Sequence, residues 1–405
     1  MVEGKNVVLG ITGSIAAYKA VDIAAKLTQK GLAVDVVMTK AATKFVSALS
    51  FRSVTHRPVI TDMWETPAEF NIEHVSLAER ADVVVIAPAT ANTIAKLAAG
   101  IADEILTCTV LATRAPIILA PAMDAGMYSN PITQENLAKL RSRGFIIAGP
   151  GYGWLASGLV GMGRLVDPNE ILGTIFQALG KKGDLVDKHI VVSAGGTREP
   201  IDLVRYIGNR SSGKMGYALA EAARDRGATV TLVTSVTELP PPAGVEVIPV
   251  ESALEMREAV LKATAAADVL IMAAAVADYH PAKVAKDKIK RESETLTLEL
   301  VKTPDIIGEV RGNIIKVGFA AESKDLIVRG TEKLKKKKLD LIAVNDITAE
   351  DSGFATDTNR VILIDRKGKV EQLSLMPKYE VAHLILDKVV VLLSRAQRSP
   401  AEKDT

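Results

Sequence analysis

Short continuous apolar runs alternate along the chain with stretches whose apolar positions recur at helical spacing. Residues 6–12 (NVVLGIT), 33–38, 81–87 (ADVVVIA) and 116–120 are runs of the first kind, and they predict strands buried on both faces, as parallel strands are. Between the first two, Ile15, Ala20, Val21, Ala24 and Leu27 share one side of a predicted helix. The pattern then repeats. Residues 190–192, 228–234, 268–273 and 339–346 predict a second set of strands, and 217–227 and 252–266 predict helices. KNVVLGITGS is echoed by KHIVVSAGGT, and RADVVVIAPATA by AADVLIMAAAVAD. So long a repeat is not a solenoid's; it predicts two doubly wound, mostly parallel-sheet, Rossmann-like α/β domains in tandem. A helix over 168–179 and the polar, glycine-containing run after it place the first domain at 1–180 and a linker at 181–187. The second domain takes 188–394. It includes an alternating run at 294–303 expected as an exposed strand, a hairpin over 360–375, and a closing helix from Pro377 to about residue 394. The polar tail 395–405 is expected to be disordered.

Composition narrows the class. With 405 residues, 48% of them hydrophobic, and a net charge of +2, the chain can bury two ordinary cores and lacks the basic excess of a general nucleic-acid binder. Its one cysteine, Cys108, excludes an intramolecular disulfide and disfavours a cysteine-based metal site. The N-terminus runs straight into a strand without a basic-then-apolar leader, and no apolar run reaches the roughly 20 residues that span a bilayer. These features point to a cytoplasmic enzyme with no membrane partner.

Candidate chemistry gathers where strands end. Gly13 and Ser14 follow the first strand at a helix start, where either a phosphate or an ordinary cap fits. Gly10-Ile-Thr-Gly13 is no dinucleotide fingerprint, and Asp35 lies inside the next strand, so a mononucleotide is favoured. Thr90, Asn92 and Thr93 stand just past another strand, where open sheets bind ligands. In the second half, a long stretch separates the strand at 190 from the helix at 217, and long ordered loops are usually functional. It ends in Ser211, Ser212, Gly213, Lys214, suited to a phosphate or to plain capping. Small residues at 274–277 permit close approach to backbone, and Asp278 either holds Mg²⁺ or caps a helix. A basic cluster covers 286–291. A second holds Lys333 and Lys337, four apart on one predicted helix face.

The run IVVSAGGTREPIDLVRYIGNRSSGKMG (190–216) closely resembles the ligase half of the bifunctional phosphopantothenoylcysteine decarboxylase/phosphopantothenate–cysteine ligase family of coenzyme A synthesis. ITGSIAAYK and APATANTIAK resemble its flavin-dependent, flavodoxin-like cysteine decarboxylase half. The resemblance covers all but roughly the last dozen residues, an extent that fits two domains. It implies CTP-dependent ligation of cysteine to 4′-phosphopantothenate through an acyl-cytidylate. FMN-dependent decarboxylation of the product to 4′-phosphopantetheine follows. It puts FMN at Gly13, Ser14, Ile15, Thr39, Thr90, Asn92, Thr93 and Met123. CTP falls at Ser212, Gly213, Met272, Ala273, Ala274, Asp278, Lys288, Pro304, Asp305, Ile306, Ile307, Phe319, Lys333 and Lys337, with Mg²⁺ on Asp278. Asn209 and Ala275 fall on the phosphopantothenate, Asn209 also handling the acyl-cytidylate. His74 falls on the family's active-site histidine, an imidazole suited to accept protons while the thiol is oxidised. The family's flavin lies at a subunit boundary of a trimer and its ligase half pairs as a dimer, so a homo-oligomer, as large as a dodecamer, is implied.

Two positions depart from the family pattern. Asp124 stands where an asparagine is usual, and an ionised carboxylate would repel the substrate carboxylate; it could help only if protonated, which requires a pKa raised by burial and like charge. Ser157 stands where many members have the cysteine that donates a proton, and a hydroxyl is a far weaker acid than a thiol of pKa about 8.5. Tyr152 is a nearby candidate donor. The alternative is an active ligase fused to an impaired or purely flavin-binding first half.

Overall fold

A computed structural model describes residues 4–64, 73–290, 294–346 and 356–398, in two compact units, Met1–Gly180 and Lys181–Thr405. In the first, β1 (Asn6–Ile11), β2 (Ala33–Met38), β3 (Val59–Ile60), β4 (Val83–Ala89), β5 (Ile117–Pro121) and β6 (Ile146–Ile147) form one parallel sheet of order β3-β2-β1-β4-β5-β6. Val7, Leu9 and Ile11 face one helical layer and Val8 faces the other, which is why β1 reads as an unbroken apolar run. The helices are α1 (Lys19–Gln29), α2 (Ala48–Thr55), α3 (Glu73–Arg80), α4 (Ala91–Ala99), α5 (Ile105–Ala112), α6 (Ala125–Ser129), α7 (Pro131–Ser142) and α8 (Pro168–Gly180). Ala20, Ile23, Ala24 and Leu27 are the buried face of α1. Strand order reverses between β1 and β4, and the crevice beyond their carboxyl ends is where such a sheet binds ligands. An antiparallel hairpin, β7 (Gly151–Trp154) and β8 (Val160–Arg164), stands outside the sheet. Asp35 lies within β2, its buried carboxylate held by Arg57 and Arg80 at 2.8 Å each. It is not a free carboxylate for a nucleotide ribose.

The second unit carries an eight-stranded sheet of order β13-β12-β9-β14-β17-β18-β20-β21. Its strands are β9 (His189–Ala194), β12 (Thr229–Thr234), β13 (Glu246–Pro249), β14 (Val269–Met272), β17 (Ile315–Glu322), β18 (Leu341–Asp346), β20 (Val361–Asp365) and β21 (Val370–Gln372). β18, β20 and β21 pair antiparallel; the rest is parallel, and order reverses between β9 and β14. Around it lie α9 (Lys214–Asp225), α10 (Ala253–Ala263), α11 (Ile306–Glu309), α12 (Leu326–Lys336) and α13 (Lys378–Arg398). A two-stranded pair, β19 (Thr358–Asn359) with β22 (Met376–Pro377), leads into α13.

Four expectations change in this unit. The long stretch between β9 and α9 is not bare loop but holds a hairpin, β10 (Arg198–Pro200) with β11 (Tyr206–Gly208). Its turn is pinned by Asp202, which accepts the Val204 and Arg205 N–H groups; Val204 leads in drawing its pKa down to about 2. The strand expected over 294–303 shrinks to β16 (Leu300–Lys302), because its partner β15 (Tyr279–Pro281) is equally short. The run read as a linker is docked, not free, from residue 184: Leu185 is fully buried in this unit's core, and Asp184 pairs with Arg226, which also holds Asp387. Finally, α13 continues through Arg398, past the predicted start of a disordered tail, because good helix formers persist until Pro400. Residues 399–405, like Arg291 of the basic cluster, lie outside the described residues.

Candidate active sites

At the switch point of the first unit, Thr12 ties the two strand ends together: its hydroxyl donates to the Pro88 carbonyl at 2.6 Å and accepts the Thr90 N–H at 3.1 Å. Ser14 then caps the short helical turn 15–18 and Thr90 caps α4, so both hydroxyls sit at helix starts. Gly13 must be glycine, since a Cβ there would stand 2.5 Å from that of Ala41. Above these turns opens a cavity of about 1030 Å³, lined by Gly13, Ser14, Ile15, Thr39, Thr90, Asn92, Thr93 and Met123 together. Asp124 and Ser157 line it as well. His74, on α3, and Tyr152, on β7 and exposed, do not.

Hairpin β7–β8 closes one wall. Gly163 lies so close that a Cβ would be 2.2 Å from the Met123 carbonyl, and a Cβ on Gly161 would be 2.9 Å from that of Ala125. This approach brings Ser157, in the hairpin's turn, to Asp124, whose Oδ2 accepts the Ser157 hydroxyl at 2.6 Å. Asp124 also caps α6 through the Gly126 N–H at 2.9 Å. The two bonds, Ser157 first, lower the Asp124 pKa, so the carboxyl is held ionised by its donors and the protonated form is disfavoured. Sequence reading passed over Glu104. Glu104 is the N-cap residue of α5, its N–H held by the Thr107 hydroxyl, and its carboxylate lines the cavity beside Lys96 with its pKa raised by burial. Nothing in its local sequence marks the wall it faces, because Glu-x-x-Thr reverses the usual Ser/Thr-x-x-Glu cap signature.

In the second unit the carboxyl ends of β9 and β14 are laced together. Ser193 Oγ accepts the Ala274 N–H at 3.1 Å, Ala275 N–H donates to the Gly195 carbonyl at 2.8 Å, and Thr197 Oγ1 accepts the Ala277 N–H at 3.0 Å. Asn209 crosses from the far loop, its Nδ2 donating to the carbonyls of Ala275 and Val276 at 3.3 and 3.1 Å. Gly213, at φ 72°, caps α9 beside Ser212, and a Cβ there would press Val236 at 2.4 Å. Lys214 is drawn aside to Asp357 at 2.7 Å.

Next to this lacing stands a mixed-charge cluster. Lys333 donates to the Phe319 carbonyl at 2.9 Å, and Lys337 pairs with Asp305 at 3.0 Å. Burial, then the Lys337 charge, push the Lys333 ammonium below the usual lysine range, while Glu322, Asp278 and Asp305 pull the other way. Asp278 is exposed, and its carbonyl takes the Thr303 N–H, which brings Pro304 and Asp305 alongside. Ile306 and Ile307 face the core at 3% and 5% exposure, leaving backbone at the start of α11 as what they can offer. Phe319, half-buried, packs with the α9–α13 side, as does Ala273, whereas Met272 packs on the opposite side. Lys288 is exposed; the adjoining Ile289 is tied to Asp202 and Arg205. Among the described residues no three carboxylate, histidine or cysteine side chains form a metal-binding group.

Residues 1–180 match the Flavoprotein family model, and 185–392 match that of the DNA/pantothenate metabolism flavoprotein C-terminal domain. The coenzyme A biosynthesis bifunctional protein CoaBC of Vibrio vulnificus is 45% identical over 396 residues, 96% of this chain and 98% of the relative. Those of Bacillus subtilis and Escherichia coli are 44% and 41% identical, over 97% and 98% of this chain and 98% and 99% of theirs. Among solved structures, the C-terminal domain of a CoaBC protein is 39% identical, covering 53% of this chain and 99% of that one at a TM-score of 0.46. A PPC decarboxylase variant complexed with pantothenoylaminoethenethiol is 33% identical, covering 43% and 97% at a TM-score of 0.40. The chain therefore belongs to the family of bifunctional coenzyme A biosynthesis proteins, a flavoprotein half followed by a pantothenate-metabolism half.

Proposed function

We propose that the residues gathered in the two units carry two consecutive steps of coenzyme A synthesis. The second unit ligates cysteine to 4′-phosphopantothenate at the expense of CTP, and the first decarboxylates the 4′-phosphopantothenoylcysteine so formed, with FMN as cofactor. Similarity over nearly the whole length of the bifunctional relatives favours both activities over an idle first half. The supporting observation for the residue assignment is that all eight positions read as flavin contacts line one cavity.

That cavity suits FMN. Its floor is made of capping hydroxyls at helix starts, and a Cβ on Gly13 or Gly163 would fill it or wreck its wall. FMN, when bound, supplies the oxidation of the cysteinyl thiol that makes loss of carbon dioxide feasible. His74 accepts a proton during that oxidation. Because it lies outside the cavity of its own chain, the reading takes it from a neighbouring copy, in a trimer through the first unit. Dimers through the second unit complete a homo-oligomer. Asp124, ionised, fixes Ser157 rather than binding the substrate carboxylate.

In the second unit the carboxylate of 4′-phosphopantothenate attacks the α-phosphate of CTP and pyrophosphate leaves. The amine of cysteine then displaces CMP to form the amide. Lys333 and Lys337 offset the charge that crowds the triphosphate, and Asn209 holds the backbone at 275–276 against the acyl group. Asp278, a lone exposed carboxylate, fits a Mg²⁺ ion carried mainly by phosphate oxygens. No described helix is long and apolar enough to cross a membrane, and we read the enzyme as cytoplasmic.

The test is product analysis. Protein given CTP, Mg²⁺, cysteine and 4′-phosphopantothenate should yield 4′-phosphopantetheine by mass. Lys333→Met should form no ligated thiol yet still decarboxylate it when it is supplied. Ligated thiol accumulating with the unaltered protein would refute the assignment for the first unit.

A further inference from the structure

Three cations on the cavity wall of the first unit, Lys19, Lys40 and Arg164, have no counterpart in the roles assigned so far, and Lys19 and Arg164 are the two whose charges act on one another. Lys19 opens α1 directly after the capped turn 15–18, and Arg164 is the last residue of β8; both line the cavity. Neither side chain forms a hydrogen bond or ion pair with a described residue. The arginine side chain lies along the hairpin: a Cβ on Gly153 of β7 would stand 3.1 Å from its Nη1 and 3.4 Å from its Cδ. The two cations feel one another, for burial first and the Arg164 charge second lower the Lys19 pKa. Asp167 pulls the other way, but its carboxylate accepts the Asn169 N–H at 2.9 Å and makes no ion pair with either cation.

The cavity's acidic groups are engaged elsewhere. Asp124 is taken by Ser157 and the Gly126 N–H, and Glu104 lies beside Lys96, which Asp103 also holds at 2.9 Å. Two like charges that line one cavity without acidic partners favour an anion bound between them. A fork of donors and a point charge side by side suit the oxygens of a phosphate, and a phosphomonoester near neutral pH carries about −1.5 to −2, matching the pair.

We propose that Lys19 and Arg164 form a phosphomonoester subsite of this cavity. The proposal deepens the flavoprotein reading and rests on it. Two ligands of the first unit carry such a group: FMN at its ribityl end, and 4′-phosphopantothenoylcysteine at its pantoyl end. A cavity of about 1030 Å³ is at the upper end for a single ligand and has room for flavin and substrate together.

The experiment uses full-length protein stripped of flavin, unaltered or carrying Lys19→Met and Arg164→Gln, with Lys139→Met as a charge control from exposed α7. Binding of FMN and of riboflavin is followed by flavin fluorescence. KM is measured for the acylcysteine substrate with and without its 4′-phosphate. If the pair holds the flavin phosphate, the double variant binds FMN at least ~10-fold more weakly while riboflavin binding is unchanged. If it holds the substrate phosphate, both flavins bind normally and KM rises ~10-fold for the phosphorylated substrate alone. Equal weakening of both flavins, or no change in any measurement, overturns the proposal. So does an equal effect of Lys139→Met. Should the unaltered protein take up neither flavin, the flavin reading falls by itself. The pair is then judged by inorganic phosphate, which should raise the melting temperature of the unaltered protein and not of the double variant.

Discussion

At Asp124 a change of one atom type alters what the site can offer a substrate. An asparagine can cap α6 as well as an aspartate does, and its amide can in addition donate a hydrogen bond to a carboxylate. Asp124→Asn should therefore keep the fold and the flavin, and lower KM for 4′-phosphopantothenoylcysteine by ~10-fold with little change in kcat. A lower kcat with KM unchanged would mean that the carboxylate itself acts in the chemistry. The sign of its titration follows from its donors. A depressed carboxyl pKa keeps the group ionised to below the ordinary carboxylate range, and its link to Ser157 is lost only as pH falls through that lowered value. Ser157→Ala removes the larger donor, so the Asp124 carboxyl should titrate at a higher pH than before, read by carbon NMR of labelled aspartate. Lys333 gives the complementary case in the ligase site. Its pKa is lowered by burial and then by Lys337, so its charge is lost at a lower pH than an ordinary lysine's. The alkaline limb of kcat/KM for CTP should fall below the usual lysine value of about 10.4, and Lys337→Met should move that limb upward. A limb that stays where it is in the variant would show that the titrating group is not Lys333.

Elements differ in how plainly the sequence announces them. β1, β4, β9 and β14 are central parallel strands, and burial on both faces leaves no choice but a continuous apolar run. That the positions proposed for the flavin would share one cavity was legible for a related reason. They follow strands β1, β2, β4 and β5 immediately, and a doubly wound sheet brings those ends to one side. The β10–β11 hairpin was not legible: its strands are three residues each, pair only with one another, and depend on a turn that Asp202 fixes through backbone contacts. Lys19, Glu104 and Arg164 stayed hidden because the walls they share come from elements far apart in the chain. The β7–β8 hairpin shows what such distance conceals. Gly163, at φ 136°, has the Met123 carbonyl where its Cβ would be, and a backbone oxygen cannot swing aside. Gly163→Ala should push the hairpin off the cavity and weaken FMN binding at least ~10-fold, with ligation by the second unit unchanged. Normal flavin uptake in this variant would show that the hairpin does not form the flavin wall.

For the whole molecule, the proton-accepting role proposed for His74 would make a single subunit an incomplete catalyst. The histidine sits on α3, apart from the cavity that holds every assigned flavin contact, and a proton acceptor must come within hydrogen-bond reach of its substrate. The cyclic homo-oligomer proposed above would let each cavity borrow the α3 of a neighbour, because a heterologous interface presents different surfaces of the same chain to one another. The consequence is measurable in mixed assemblies. His74→Asn chains keep a sound cavity and Gly163→Ala chains keep a sound histidine, and at an FMN concentration too low to load the second kind each alone should be inactive in decarboxylation. When the two are co-expressed and assort at random, a working site needs the first kind of chain to supply the cavity and the second to supply the histidine. That combination arises in about one site in four, so the mixture should recover about a quarter of the unaltered rate. If each chain instead used its own histidine, no combination would restore a site and the mixture would stay at the background of its components. Ligation, which needs neither residue, should run at the full rate in every sample and so report that both chains are folded.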